Sequence, residues 1–244
     1  MLFLTSKLLA AAGVSHGFSL RTGGVSLSPF ESLNLGFSVG DQPQAVEENL
    51  RRLREAANIS GPITTTSQVH GDRVVDQDLR EVLPSTEPQA AGADALVSET
   101  AAVGVRAADC VPILLCAGRK VAAVHSDWRG SRLKIVRRAV QALKVEPQQV
   151  LAAIGPCIGR CCYEVSPELA LRFRDQFGAE AVQALAEKHH LDLRYCVEAT
   201  LREAGVTRIE QVPGCTSCDT ASFFSHRRDK GRTGRHLAFI APAR

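Results

Sequence analysis

No apolar run in the 244-residue chain approaches the roughly 18 residues that a membrane-crossing helix needs, so no membrane partner is expected. An export signal is equally hard to find. The N-terminal stretch Met1–Gly13 is apolar, but no basic region precedes it and Lys7 interrupts it, so it reads as the first structural element of a cytoplasmic protein. Charge of one sign is scarce too. Lys and Arg number 29 against 26 Asp and Glu, a net +3, which tolerates an anionic small molecule but is too mild for a dedicated nucleic-acid binder. There is no internal repeat, low-complexity tract or long linker. Nor is there a glycine-rich phosphate loop of the dinucleotide or nucleoside-triphosphate kind.

What is present is ordinary globular composition, 45% hydrophobic and 23% charged. The length permits one domain or two intimate halves, and residues 1–244 are expected to form one. Cysteine is abundant: Cys110, Cys116, Cys157, Cys161, Cys162, Cys196, Cys215 and Cys218. In a long chain without an export signal, free thiols are the better default than disulfides, which directs attention to a metal site or a nucleophile.

Apolar periodicity and capping signals predict four helices. One is capped by Asp41, with Gln44 three residues on and Val46, Leu50, Leu53 and Ala57 on its buried face, and stops at Gly61-Pro62. The others run from about Ser131 to Leu143, from Ser166-Pro167 onward, and from Asp192 to Ala204. Short apolar runs predict strands at residues 63–69, 102–107, 111–116, 121–125, 150–154 and 236–240, with a hairpin turn over 117–120 and a surface loop over 83–92. Helices and strands intermix without strict alternation. The expected fold class is therefore α/β, with a mixed β-sheet flanked by helices.

Three predicted strand ends carry the chemistry: Gln68-Val-His-Gly71, Ala108-Asp-Cys-Val-Pro112, and Val124 through Gly130. If those strands are neighbours, His70, Cys110 and His125 converge. Two imidazoles and a thiolate suit zinc, and three protein ligands leave a fourth position open for water or substrate. Taken singly, each residue also fits a hydrogen-bonded strand-end histidine or a packed cysteine. Asp109 is the candidate carboxylate for proton transfer, or else a loop pin. Cys215-x-x-Cys218 is a weak signal alone and reads as structural or as a wall of the site. The Arg-rich run 226–235, diluted by Asp229, reads as a phosphate-binding or solvated loop before it reads as an RNA-binding one.

The motifs Arg21-Thr-Gly-Gly-Val-Ser26, Ser32-Leu-Asn-Leu-Gly36, Gln68-Val-His-Gly71, Ala108-Asp-Cys-Val-Pro112, His125-x-x-Trp-Arg-Gly130, Ile154-Gly-Pro-Cys-Ile-Gly159 and Cys162-Tyr-Glu-Val165 follow one another in order. Cys215-x-x-Cys-Asp219, Phe223-Phe-Ser-x-Arg-Arg-Asp229 and Arg232-Thr-Gly-Arg235 complete the set. Together they resemble the bacterial YfiH-type family, long labelled laccase-domain or multicopper polyphenol oxidase proteins, over residues of about 14 to 241. The resemblance implies the α/β fold shared with cytotoxic necrotizing factor-like cysteine hydrolases. It also implies a zinc centre at His70, Cys110 and His125, with copper able to enter the same site. Phosphorolysis of adenosine, inosine and methylthioadenosine is the implied activity, with adenosine deamination as a second one. A purine nucleoside and phosphate are then the expected partners, and nucleic acid is not.

Arg21, Arg129, Arg228 and Arg232 lie in the shared motifs and are the expected phosphate and substrate ligands. Ser126-Asp127 departs from the family's Ala-Gly at that place and bears on substrate preference or on the basicity of His125. Copper-dependent phenol oxidation fits poorly, because Met1 is the one methionine available as an axial ligand and seven histidines are too few for a multicopper set. A metal-free cysteine hydrolase using Cys110 and His125, and a non-enzymatic RNA-binding module, stand as the rival readings. Oligomeric state is not specified by any of these motifs.

Overall fold

The computed structural model describes residues 1–79, 81–83, 92–185 and 187–243. Two mixed sheets stack face to face. The larger runs Arg208–Gln211, Leu151–Ile154, Val111–Ala117, Lys120–Ser126, Ala95–Ser98, Val74–Asp76, Glu81–Leu83. The smaller runs Phe3–Leu4, His16–Ser19, His236–Ile240, Ala102–Ala107, Ile63–Thr64. The period-two alternation of strand side chains explains why these runs are apolar throughout. Leu114 and Cys116 enter the layer between the sheets with Val103, Val105, Ala238 and Ile240. Ile113 and Leu115 point the other way, onto Val136 and Val140 of the Ile135–Ala142 helix and Val197 and Leu201 of the Leu193–Glu203 helix. On the outer face of the smaller sheet, Leu237 and Phe239 meet Leu53 of the Pro43–Ala56 helix. The result is four layers, helix–sheet–sheet–helix. The N-terminal stretch is structural, with Ser6 capping the Lys7–Ala11 helix and Leu9 fully buried.

Several expected boundaries move, each for a local reason. The strand expected over 63–69 ends at Thr64 because the Gln68 side-chain amide replaces the ladder: its Nε2 donates to Arg106 O and its Oε1 accepts from Arg106 N, both at 2.7 Å. The helix expected from Ser131 starts at Trp128, where Asp127 caps it, and breaks at Lys134, whose φ of 55° lies in the left-handed region. Asp41 does not cap its helix through the side chain. Gln42 is the N-cap and Pro43 opens the first turn, while Asp41 Oδ2 accepts from Ser26 and Asn34. Ser166 and Asp192 do cap theirs, accepting from Leu169 N and Tyr195 N. Of the loop expected over 83–92, residues 84–91 lie outside the described residues.

Candidate metal centre and its cavity

Sheet register assembles the centre. The Val111–Ala117 and Lys120–Ser126 strands pair antiparallel with Pro112 opposite His125, so Cys110, one residue before its strand, sits at the end of the neighbouring one. On the other side Ala95 pairs with Val124, which puts Asp94 against His125. Asp94 O accepts the His125 N–H at 2.7 Å, and Asp94 Oδ1 holds His125 Nδ1 at 2.8 Å.

The same carboxylate collects the third ligand. Fully buried Asp94 accepts the backbone N–H groups of Val69, His70 and Gly71 at 3.1, 3.0 and 2.9 Å. A φ of 60° at His70 curls these three donors around one anion and throws the imidazole toward His125, the two rings meeting edge to face at 5.0 Å. Gly92 permits the approach, since a Cβ there would meet Ser67 O at 2.4 Å. Asp109, next to the cysteine ligand, also holds a positive φ, of 95°. Two of the three ligand loops thus carry left-handed non-glycine residues, conformations that concentrate at functional sites.

One ligand atom each from His70, Cys110 and His125 lies within 4.8 Å of the others. A single ion with bonds of about 2.0 Å to nitrogen and 2.3 Å to sulfur spans such a set. The donor chemistry fits. With Nδ1 of His125 bound to Asp94, Nε2 is free to coordinate, the arrangement by which a carboxylate fixes a ligand's tautomer and raises its basicity. Electrostatics point the same way. Against the opposing effect of burial, the neighbouring Cys110 and the Asp94 carboxylate push His125 up to about 10. Burial raises the Cys110 thiol, yet the two histidines bring it below the ordinary range, while the Cys110 hydrogen bond raises His70. The Cys110 thiol is thus eased toward its metal-binding form by the two side chains that would share its ion.

The centre opens into a cavity of about 730 Å³, within the size range of small-molecule sites. His70 is on the exposed side and His125 is buried. Phe37, Trp128 and Tyr163 contribute aromatic faces; Arg106, Arg227 and Arg235 contribute cations. Arg106 donates from Nε to Leu35 O, Arg227 from Nη1 to Glu164 O, and Arg235 from Nη1 to Thr233 O and Gly234 O, so each guanidinium is aimed and retains further donors.

These are not the arginines the motifs suggested. Arg21 donates to Thr220 O and Glu31 O and lies over the Phe224 ring; Arg129 lies over the Trp128 ring on the exposed surface; Arg228 is spent on Thr216 O, Phe223 O and Asp229; Arg232 is exposed. None of the four lines the cavity. Motif membership marks the loops that build the wall, but only the backbone path decides that Arg227 faces in while Arg228 staples the loop.

Asp109 does line the cavity, with both oxygens committed: Oδ1 accepts the Thr216 hydroxyl at 2.6 Å and Oδ2 accepts Arg227 N at 2.7 Å. Asp127 lines it as well, and its Oδ1 caps Gly130 N at 2.7 Å. The carboxylate that holds the His125 ring is therefore Asp94, while Ser126 pairs with the Ser131 hydroxyl and Asp127 with Gly130 N. Sequence reasoning missed Asp94, although an acidic residue entering an apolar strand was a signal that could have flagged it.

The comparisons with known proteins span the chain. A family profile described as multi-copper polyphenol oxidoreductase laccase matches residues 15–243. The purine nucleoside phosphorylase YfiH of Escherichia coli is 39% identical over 236 residues, 93% of each chain. The purine nucleoside phosphorylase PA4543 of Pseudomonas aeruginosa is 36% identical, covering 98% of this chain and 97% of its own. Among solved structures, Neisseria meningitidis protein NMB0706 superposes with a TM-score of 0.88 at 33% identity over the whole of both chains. YlmD of Geobacillus stearothermophilus gives 0.85 at 31%, covering 100% of this chain and 99% of its own.

Proposed function

This chain belongs to the multi-copper polyphenol oxidoreductase laccase family, and from that premise we propose that it is a zinc-dependent purine nucleoside phosphorylase, with adenosine deamination as a second activity. The observation that carries the reading is one cavity holding three arginines beside the open His70–Cys110–His125 centre, in a chain similar to proteins named for this reaction.

In phosphorolysis the bond from ribose C1′ to the purine nitrogen breaks, a phosphate oxygen bonds to C1′, and the departing base takes up a proton. Arg106, Arg227 and Arg235 would bind phosphate, for which the planar guanidinium is suited, and would offset charge in the transition state. Phe37, Trp128 and Tyr163 would flank the purine. His70, Cys110 and His125 would hold zinc, which when bound supplies Lewis acidity or an acidified water. Asp109 and Asp127 are the carboxylates within the wall that could move a proton, and Asp109 would have to release Thr216 or Arg227 to do so. The cytoplasm is the proposed setting, where thiolate ligands stay reduced.

The test is product analysis on metal-quantified protein given adenosine with and without phosphate, beside Cys110→Ala. Phosphate-dependent release of base, lost with the metal in the variant, supports the reading. Full metal loading with no nucleoside turnover rejects the substrate class.

A second reading rests on the Cys110–His125 pair, a lowered thiol beside a raised imidazole, as in a cysteine hydrolase. Stoichiometric alkylation of Cys110 that added zinc does not slow would favour it. Multicopper oxidation is disfavoured by the ligand inventory, since among the described residues the one cluster containing histidine has two of them, and Met1 is exposed at the chain end.

A further inference from the structure

Outside the cavity wall a second cluster gathers. Cys161 and Cys162 lie in the turn after Gly159; Cys215 and Cys218 lie in the turn entered after Val212. These segments are more than fifty residues apart in sequence, yet the sulfurs converge. Cys161 Sγ lies 3.6 Å from Cys215 Sγ and 3.4 Å from Cys218 Sγ, and Cys162 Sγ lies 3.2 Å from Cys218 Sγ. All four are within 4.8 Å of one another. A tetrahedral ion with metal–sulfur bonds of about 2.3 Å holds its sulfurs about 3.8 Å apart. The observed spacing suits one ion better than a multi-iron cluster, whose ligands stand around several metals.

We propose that Cys161, Cys162, Cys215 and Cys218 form a second, structural metal site that takes one zinc ion, distinct from the His70–Cys110–His125 centre. Four thiolates close the coordination sphere, leaving no position for substrate, whereas the three-ligand centre is open. The surroundings are built for sulfur. Gly159 N donates to Cys215 Sγ at 3.2 Å, an outer-shell bond of the kind that orients metal thiolates. A side chain at Gly159 would come within 3.1 Å of Cys161 Sγ and 3.3 Å of Cys215 Sγ, so the glycine leaves the cluster room.

The site would clip together two segments that the active centre depends on. The first carries Ile158 and Tyr163 of the cavity wall; the second carries Thr216, whose hydroxyl holds Asp109 beside Cys110. Between them the backbone makes one short bridge, Cys157 to Cys215, with Thr216 N donating to Cys157 O at 3.0 Å. A zinc ion would reinforce a connection that few hydrogen bonds make.

The experiment counts zinc in reduced, zinc-exposed full-length protein after loosely held metal is removed. About two ions per chain are expected in the wild type, about one in the Cys161→Ser/Cys218→Ser double variant, and about one in Cys110→Ala. Zinc content unchanged in the double variant overturns the proposal. Content unchanged in Cys110→Ala but lowered in the double variant upholds it while rejecting the other centre. Should the double variant fail to fold, iodoacetamide mapping of the wild type decides. Cys161 and Cys218, both exposed, should be protected in the zinc-loaded protein and labelled once a chelator is added. Equal labelling before and after chelation, or protection relieved by a disulfide reductant alone, overturns it.

Discussion

Asp94 joins two ligand loops through a single buried carboxylate, holding the His125 ring with one oxygen and the backbone of Val69 and Gly71 with the other. Asp94→Asn removes the charge and replaces one acceptor oxygen by a donor. Zinc affinity is expected to fall 10- to 100-fold, the usual cost of losing an outer-shell partner, which competition with a calibrated chelator would read. The two adjacent arginines make a sharper residue-scale contrast. Arg227→Ala should raise the KM for phosphate by about 10-fold or more, since hydrogen bonds to charged groups contribute roughly 1.5–3 kcal/mol. Arg228→Ala should leave that KM near the wild-type value and lower the melting temperature, because its guanidinium staples Thr216 O, Phe223 O and Asp229. Equal phosphate KM values for the two variants would argue against the assignment of cavity-facing cations.

At the scale of elements, helix starts are governed by single side chains. Ser166 accepts from Leu169 N ahead of the Pro167–Phe177 helix. Ser166→Ala should lower stability by about 1 kcal/mol, measured by urea unfolding, with activity unchanged because the helix contributes nothing to the cavity lining. Strands obey a different control. The Val111–Ala117 and Lys120–Ser126 pair is fixed by alternation on two buried faces, so a slip of one residue would exchange the Leu114 and Leu115 sides and separate Cys110 from His125.

For the whole molecule, the stacked sheets share one apolar layer and each carries helices on its outer face. We propose that residues 1–244 unfold as one unit, which predicts coincident transitions by far-ultraviolet circular dichroism and by Trp128 fluorescence; separated midpoints would refute it. Acid should weaken that unit through two buried histidines. Burial lowers His16, and burial brings His236 from 6.5 to about 3. Their Nε2 atoms accept from Ser6 N and Phe224 N, roles that only the neutral ring can fill. Because these folded-state values lie below the unfolded ones, the unfolded chain binds more protons as pH drops below about 6.5, and stability falls with it. For His236 the loss continues toward pH 3. Urea midpoints measured from pH 7 to pH 4 should decline, and His236→Gln should flatten the decline.

Local patterns determined much of this. The strands at 102–107, 111–116 and 236–240, the cap at Ser166, the helix start at Asp192 and the strand-end positions of Cys110 and His125 were legible because apolar alternation and capping depend on neighbours in sequence, whereas His70 lies in a loop beyond the strand that ends at Thr64. The motifs also identified the family. What only tertiary structure decided involves partners far apart along the chain: Asp94 behind His125, Gln68 ending a strand by bonding Arg106, Arg227 rather than Arg228 facing the cavity, and four cysteines from two distant turns meeting at one point. Sequence spacing reports what a residue's own strand or helix will do. Which side chains share a site is set by sheet register and loop path, and these depend on packing summed over the whole core.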